Sequence, residues 1–138
     1  MEQNYPGVSK RVRAAVTDSL VLAVLMVLTT YIFSNFENVP DIARISAFVF
    51  IFVLYDPILT SSIGGTIGHM IIGIRVKREN NQEKNILFPF AIVRFLAKAL
   101  LGWISLLTVL NNEKGKAIHD YLVKSIVVYK QENKIKEL

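Results

Sequence analysis

The run AAVTDSLVLAVLMVLTTYIF, residues 14–33, contains a single charged side chain, Asp18, and the run ISAFVFIFVLYDPILTSSIG, residues 45–64, contains one more, Asp56. Each run has the roughly 20 residues needed to cross a hydrocarbon core about 30 Å thick. A carboxylate at such depth costs roughly 2.5–3.5 kcal/mol on insertion scales, so it needs a buried partner or an aqueous path. Two chemistries fit. An ionised Asp18 or Asp56 paired with Arg11, Arg13 or Arg94 would fix the register of packed helices, and removing one partner would strand a charge at about 3–5 kcal/mol. A carboxylate that exchanges protons or cations would instead carry transport.

Other reactive groups are sparse. His69 and His119 are the only histidines and could relay protons near neutral pH, although an interfacial histidine satisfied by backbone is the simpler reading. Adjacent helix residues point apart, so His119 and Asp120 are not expected to form an imidazole–carboxylate pair. The chain has no cysteine, which removes disulfides, thiolate metal sites and thiol catalysis. Two distant histidines and scattered acids make no metal site. The glycines of 64–73 lack the GK[ST] ending of a phosphate loop. No nucleophile–base pattern stands out, so neither an enzyme nor a cofactor is expected.

The elements that must hold these groups follow from apolar length and breakers. The pattern predicts an all-α membrane protein with spans at about 12–33 and 43–63, joined by a short loop over Asn35–Pro40 with Asp41 as a helix cap. Pro57 follows Asp56 directly and leaves the carbonyl of Val53 without its usual donor, so a kink is expected near Val53–Pro57. The stretch GGTIGHMIIGIRVK, residues 64–77, is too short to span and reads as a brief turn or helix and then a strand at Ile74–Lys77. Asn80-Asn81 is a weak hairpin signal. Residues 87–110 are apolar and long enough to cross, but Arg94 and Lys98 sit on one helical face of their first half. Either a third span or a re-entrant or interfacial hairpin breaking near Gly102-Trp103 fits. The tail, 111–138, should contain a short helix in KAIHDYLVK, then a strand over 125–130 that pairs with 74–77 as a small sheet.

At 138 residues, with 52% hydrophobic content, a mean hydropathy of +0.41 and a net charge of +5, the chain is one domain of membrane character. The first run is too long for a signal peptide and lacks a small-x-small cleavage site. Lys10, Arg11 and Arg13 precede the first span, and Arg75, Lys77, Arg78 and Lys84 follow the second. The tail adds Lys114, Lys116, Lys124, Lys130, Lys134 and Lys136. Positive charge beside spans marks the cytoplasmic side, so both termini are expected there. At a rise of 1.5 Å per residue, Asp18 then lies roughly 6 Å from Ala14 and Asp56 roughly 12 Å from Gly64, both in the cytoplasmic half. These basic residues flank membrane segments and suit anionic lipid headgroups rather than nucleic acid.

Three blocks carry a resemblance. RVRAAVTD places Arg11 seven residues before Asp18, with Ala14 between. GGTIGHMIIGIRV supplies Thr66, Gly68, Gly73 and Val76, and KGKAIHDYLVKSIVV leads a basic stretch to Asp120 and a valine-rich end. In this order they resemble the RDD family of small bacterial membrane proteins over about residues 8–128. His69 stands where a lysine is common, and Ser125-Ile126 where Gly-Thr is frequent. Asp120 is taken as the second family aspartate, with Asp56 of Tyr-Asp-Pro as a rival. The resemblance implies a multi-pass protein of the bacterial inner membrane, with ligand transport suggested and sodium/proton antiport reported for some members.

Two functions therefore stand side by side. In the first, Asp18 and Asp56 carry protons or monovalent cations while Arg11, Arg94 and Asp120 tune them. Two spans enclose too little volume for a pore, so this needs a homo-oligomer or a membrane partner. In the second, the same charges staple a non-transporting assembly or lipid-interacting subunit.

Overall fold

The computed structural model describes residues 4–131; Lys134 and Lys136 lie outside them. Helix α1, Val8–Ser34, is inside-out by the standards of a soluble protein. Its buried residues are Arg11, Ala14 and Asp18, whereas Leu20, Val24, Val27, Leu28 and Tyr31 are exposed. Polar groups face protein and apolar groups face outward, which is stable only where the outside is lipid. The second long helix runs from Asp41 to Ile63 as α2 (Asp41–Val49), a π-turn (Phe50–Leu54) and α3 (Tyr55–Ile63). Both α1 and this composite helix are long and apolar enough to cross a membrane. The π-turn overlaps the start of the kink expected near Val53–Pro57. Pro57 has no N–H to offer and its ring crowds the carbonyl one turn back, so the ladder widens there. Asp41 does not cap the helix: Pro40 occupies that position, and no side-chain cap bond forms.

After α3 the chain makes the short helix α4, Ile67–Ile72, whose first turn is closed by Thr66 and His69. His69 donates its backbone N–H to Thr66 Oγ1, and the Thr66 N–H donates to His69 Nδ1. The helix ends at Gly73 in the left-handed region (φ +81°), where glycine carries no Cβ penalty. Strand β1, Ile74–Arg78, pairs antiparallel with β2, Ser125–Tyr129, with Val76 opposite Val127. The Asn80-Asn81 hairpin does not form, because the partner of β1 is the distant β2. Ile74, Val76 and Val127 are fully buried with Ala14, Ile86 and Ala91 in the apolar core, which sits at the sheet beside the start of α1.

Helix α5, Phe88–Leu101, ends at Gly102, and the chain turns by 101° into α6, Ile104–Leu107, and a 3-10 turn, Thr108–Asn111. The break lies where Gly102-Trp103 places it. A short helix α7, Ile118–Leu122, leads into β2. Because β1 precedes the bent segment and β2 follows it in one sheet, the chain leaves and returns beside the same group of elements.

Candidate functional site

The charged residues gather where α1, α3, α4, α5 and α7 meet. Asp120, fully buried at the start of α7, is the most heavily bonded. Its Oδ2 accepts from Arg11 Nη1 at 2.8 Å and from the Ala117 N–H at 3.1 Å. Its Oδ1 accepts from Arg94 Nε at 3.1 Å and from Ser125 Oγ at 3.2 Å. Arg11 Nη2 also donates to the Gly115 carbonyl at 2.6 Å. Burial alone would raise the pKa of Asp120, but the adjacent Arg11 and Arg94 charges outweigh it and hold the carboxyl well below the usual range.

Asp56 belongs to the same cluster through Arg94. Its Oδ2 accepts from Lys98 Nζ at 3.2 Å and its Oδ1 from Thr60 Oγ1 at 3.1 Å. Arg94 Nη1 lies 3.9 Å from Oδ1, close enough for attraction and too far for a hydrogen bond. Arg94 and Lys98, one turn apart on α5, thus both face Asp56.

Asp18 is different. The expected arginine partner is not there: among the described residues its hydrogen-bond donors are all neutral. Tyr55 donates its hydroxyl to Oδ1 at 2.8 Å, the Gly68 N–H donates to the same oxygen at 2.8 Å, and Thr66 Oγ1 donates to Oδ2 at 2.6 Å. Gly68 permits this because a Cβ there would collide with the Ala14 carbonyl and the Asp18 carboxyl. Thr66 Oγ1 also lies 2.5 Å from His69 Nδ1. Burial, with the Lys98 and Arg94 charges adding to it, pushes His69 down to about 3, so the ring is neutral at physiological pH.

His119 is held neutral in the same way, pushed down to about 3 by burial and then by Arg94. Ser105 Oγ accepts from the His119 backbone N–H at 3.2 Å and lies 2.5 Å from His119 Nδ1. The other ring nitrogen, Nε2, sits 3.8 Å from Asp120 Oδ1. At that distance the two neighbours make no hydrogen bond, in line with adjacent helix residues pointing apart, and the Asp120 carboxylate accepts instead from the Ala117 N–H.

A cavity of about 230 Å³ adjoins the cluster, with Arg11, Arg94, Lys98, His69 and His119 on its wall. Arg11, Arg94, Asp56 and Asp120 are thus brought together, and Asp18 stands apart on the far side of Thr66. Tyr55, Thr60, Lys98, Ser105 and Gly115 complete the site without having been singled out as candidates. Lys98 had a local signal in its spacing from Arg94; the others had none until their partners were known.

The RDD family model matches residues 5–124, which is most of the chain. The chain belongs to the RDD family. Neither a curated protein nor a solved structure matches it. In this RDD protein the arginine and aspartates of the first and last blocks, Arg11, Asp18 and Asp120, all lie in the site. Arg11 holds Asp120 rather than Asp18, its neighbour in sequence.

Proposed function

We propose that this RDD protein is a multi-pass membrane protein that exchanges protons through Asp18 as part of a proton-coupled transport cycle. What supports this reading is Asp18, the acid of the site that no cation touches among the described residues, connected through a single hydroxyl to a histidine on a cavity wall. Asp56 and Asp120 are neutralised by Arg11, Arg94 and Lys98 and serve as the frame.

Thr66 has one hydroxyl proton and two neighbours that can take it. When Asp18 is ionised and the ring proton is on Nδ1, which then gives up the 3.3 Å bond from the Thr66 N–H, Thr66 donates to Oδ2 and His69 Nδ1–H donates to Thr66. When Asp18 is protonated, it donates to Thr66, which donates to a bare His69 Nδ1. The second arrangement arises from the first by moving one proton along the chain toward Asp18, while the other ring nitrogen takes a proton from the cavity. The imidazole stays neutral before and after. A basic cavity wall disfavours a metal cation on that side, so the proton is the species that this route fits.

The membrane arrangement follows the charges. Lys10, Arg13, Arg75, Lys77 and Arg78 lie around the sheet and the start of α1, and the positive-inside rule assigns that end to the cytoplasm. Both termini of the domain then face inward, and the bent α5–α6 segment enters and returns without a third crossing. The exposed apolar faces of α1 and α2 leave room for assembly with further copies, which transport through two spans requires. No enzymatic activity is part of this reading.

A second reading, that the charges only hold the fold, is favoured by the Arg11–Asp120–Arg94 network, which ties three helices together. Liposomes containing the purified protein and a pH-sensitive dye separate the two. Under imposed proton, sodium and potassium gradients, folded wild type should move protons and folded Asp18→Asn should not. Absence of proton movement in well-folded wild type under every gradient would overturn the transport reading and leave the structural one.

A further inference from the structure

We propose that the cavity beside the charged cluster binds a phosphate-type anion, the chemistry shared by a phospholipid headgroup and a free phosphate. This does not rest on proton exchange at Asp18. Arg11, Arg94 and Lys98 place three cationic side chains on the wall, and no carboxylate is among its lining residues. The acids behind them, Asp56 and Asp120, supply two negative charges to three positive ones. Hydrogen bonding leaves the same surplus. Among the described residues, Arg11 Nε and Arg94 Nη1 are buried without a hydrogen-bond acceptor, although guanidinium donors in a protein interior are ordinarily satisfied. Among the described residues the cluster thus carries one more positive charge than negative, and two unpaired donors.

The rest of the wall says which kind of anion fits. Val12, Ala15, Trp103 and Leu106 make it apolar beside the basic groups. Trp103 is 72% exposed at the bend between α5 and α6, beside the exposed Ile104. An exposed tryptophan with a basic pocket at the start of a membrane span has the amphipathic character of a headgroup boundary. The volume of about 230 Å³ far exceeds the roughly 10–15 Å³ that one water needs. A phosphate group would meet Lys98 and the two guanidinia, and the carbons attached to it would lie against Ala15, Trp103 and Leu106.

The test uses the full chain in detergent, titrated separately with phosphatidylglycerol, phosphatidylcholine and inorganic phosphate. Bound lipid is counted by native mass spectrometry and melting temperature is followed. Two variants accompany wild type: Lys98→Gln, which removes a wall charge, and Ala15→Trp, which fills the cavity and leaves every ion pair intact. Phosphatidylglycerol should bind at least tenfold more tightly than phosphatidylcholine, and Ala15→Trp should erase that preference. Lys98→Gln should weaken it at least fivefold. Stabilisation by inorganic phosphate alone, lost in Ala15→Trp, would support the site and assign it to a soluble phosphate. Equal binding of the two lipids with no phosphate effect would overturn the proposal. So would a phosphatidylglycerol preference that survives in folded Ala15→Trp, since that is general attraction to a basic surface. If Lys98→Gln does not fold, the cavity-filling variant decides.

Discussion

Arg11 and Asp120 are 109 positions apart in the chain and 2.8 Å apart in space, both shielded from solvent. That contact carries the start of α1 to the start of α7, and Arg94 completes it from α5 at 3.1 Å. A carboxylate with two arginines, a serine and a backbone amide has all its acceptor capacity used. Asp120 is therefore a structural anchor, whereas among the described residues Asp18 is bonded only to neutral donors.

Asp120→Asn should be strongly destabilising. It removes the negative charge between two buried arginines, and stranding a buried charge costs about 3–5 kcal/mol. Thermal unfolding in detergent should show a large loss of melting temperature or no folded protein. A melting curve that overlays wild type would show that the pair is not holding the fold.

Gly68→Ala tests the close approach of α1 and α4. The added methyl meets the Ala14 carbonyl, which is backbone, and the Asp18 carboxyl, which three hydrogen bonds hold in place. Overpacking of this kind costs about 1–3 kcal/mol. Gly7→Ala is the control, since open space surrounds that position and its φ is −81°. Equal stability of the two variants would refute the tight packing.

Thr66→Val and Thr66→Ser separate the hydroxyl from its cap. Both valine and serine keep the backbone, but only serine keeps the proton. Proton flux should fall more than tenfold in Thr66→Val and return in Thr66→Ser. The valine variant also loses a cap bond of about 1 kcal/mol, so flux is compared at matched folded fraction. Full flux through a folded valine variant would exclude Thr66 from the path.

Acid should destabilise the protein in a window set by its histidines. Burial followed by the Arg94 charge holds His119 at about 3, against an ordinary value of 6.5. Between those values the unfolded ring binds a proton and the folded ring does not, so stability falls as pH drops through the window. His69 adds the same sign, and Asp120, held low by Arg11 and Arg94, extends the loss below the ordinary carboxylate range. Melting temperature measured from pH 7 to 4 should decline, with a shallower slope in His119→Gln. An identical slope in that variant would mean that His119 is not the buried neutral ring described.

The sequence by itself determined the features that depend on neighbouring residues. Apolar length set the two long helices, Pro57 set the irregular turn before it, Gly102-Trp103 set the bend, and the β-branched runs at 74–78 and 125–129 set the strands and their pairing. The charged candidates of the site were legible, because a charge in or beside an apolar run has few tolerable surroundings, but Tyr55, Thr60, Ser105 and Gly115 carried no local signal. Partner choice was not legible either. Arg11 and Asp18 share one face of α1, yet seven residues separate them by two turns and roughly 10 Å, so each side chain reaches a different neighbour. Only the tertiary structure brings Gly115 and Asp120 to Arg11, Lys98 to Asp56, and Tyr55, Thr66 and the Gly68 amide to Asp18. The physical reason is that a buried charge is stabilised by whatever donor comes within about 3 Å, and that distance is set by how helices pack, a property no local pattern encodes.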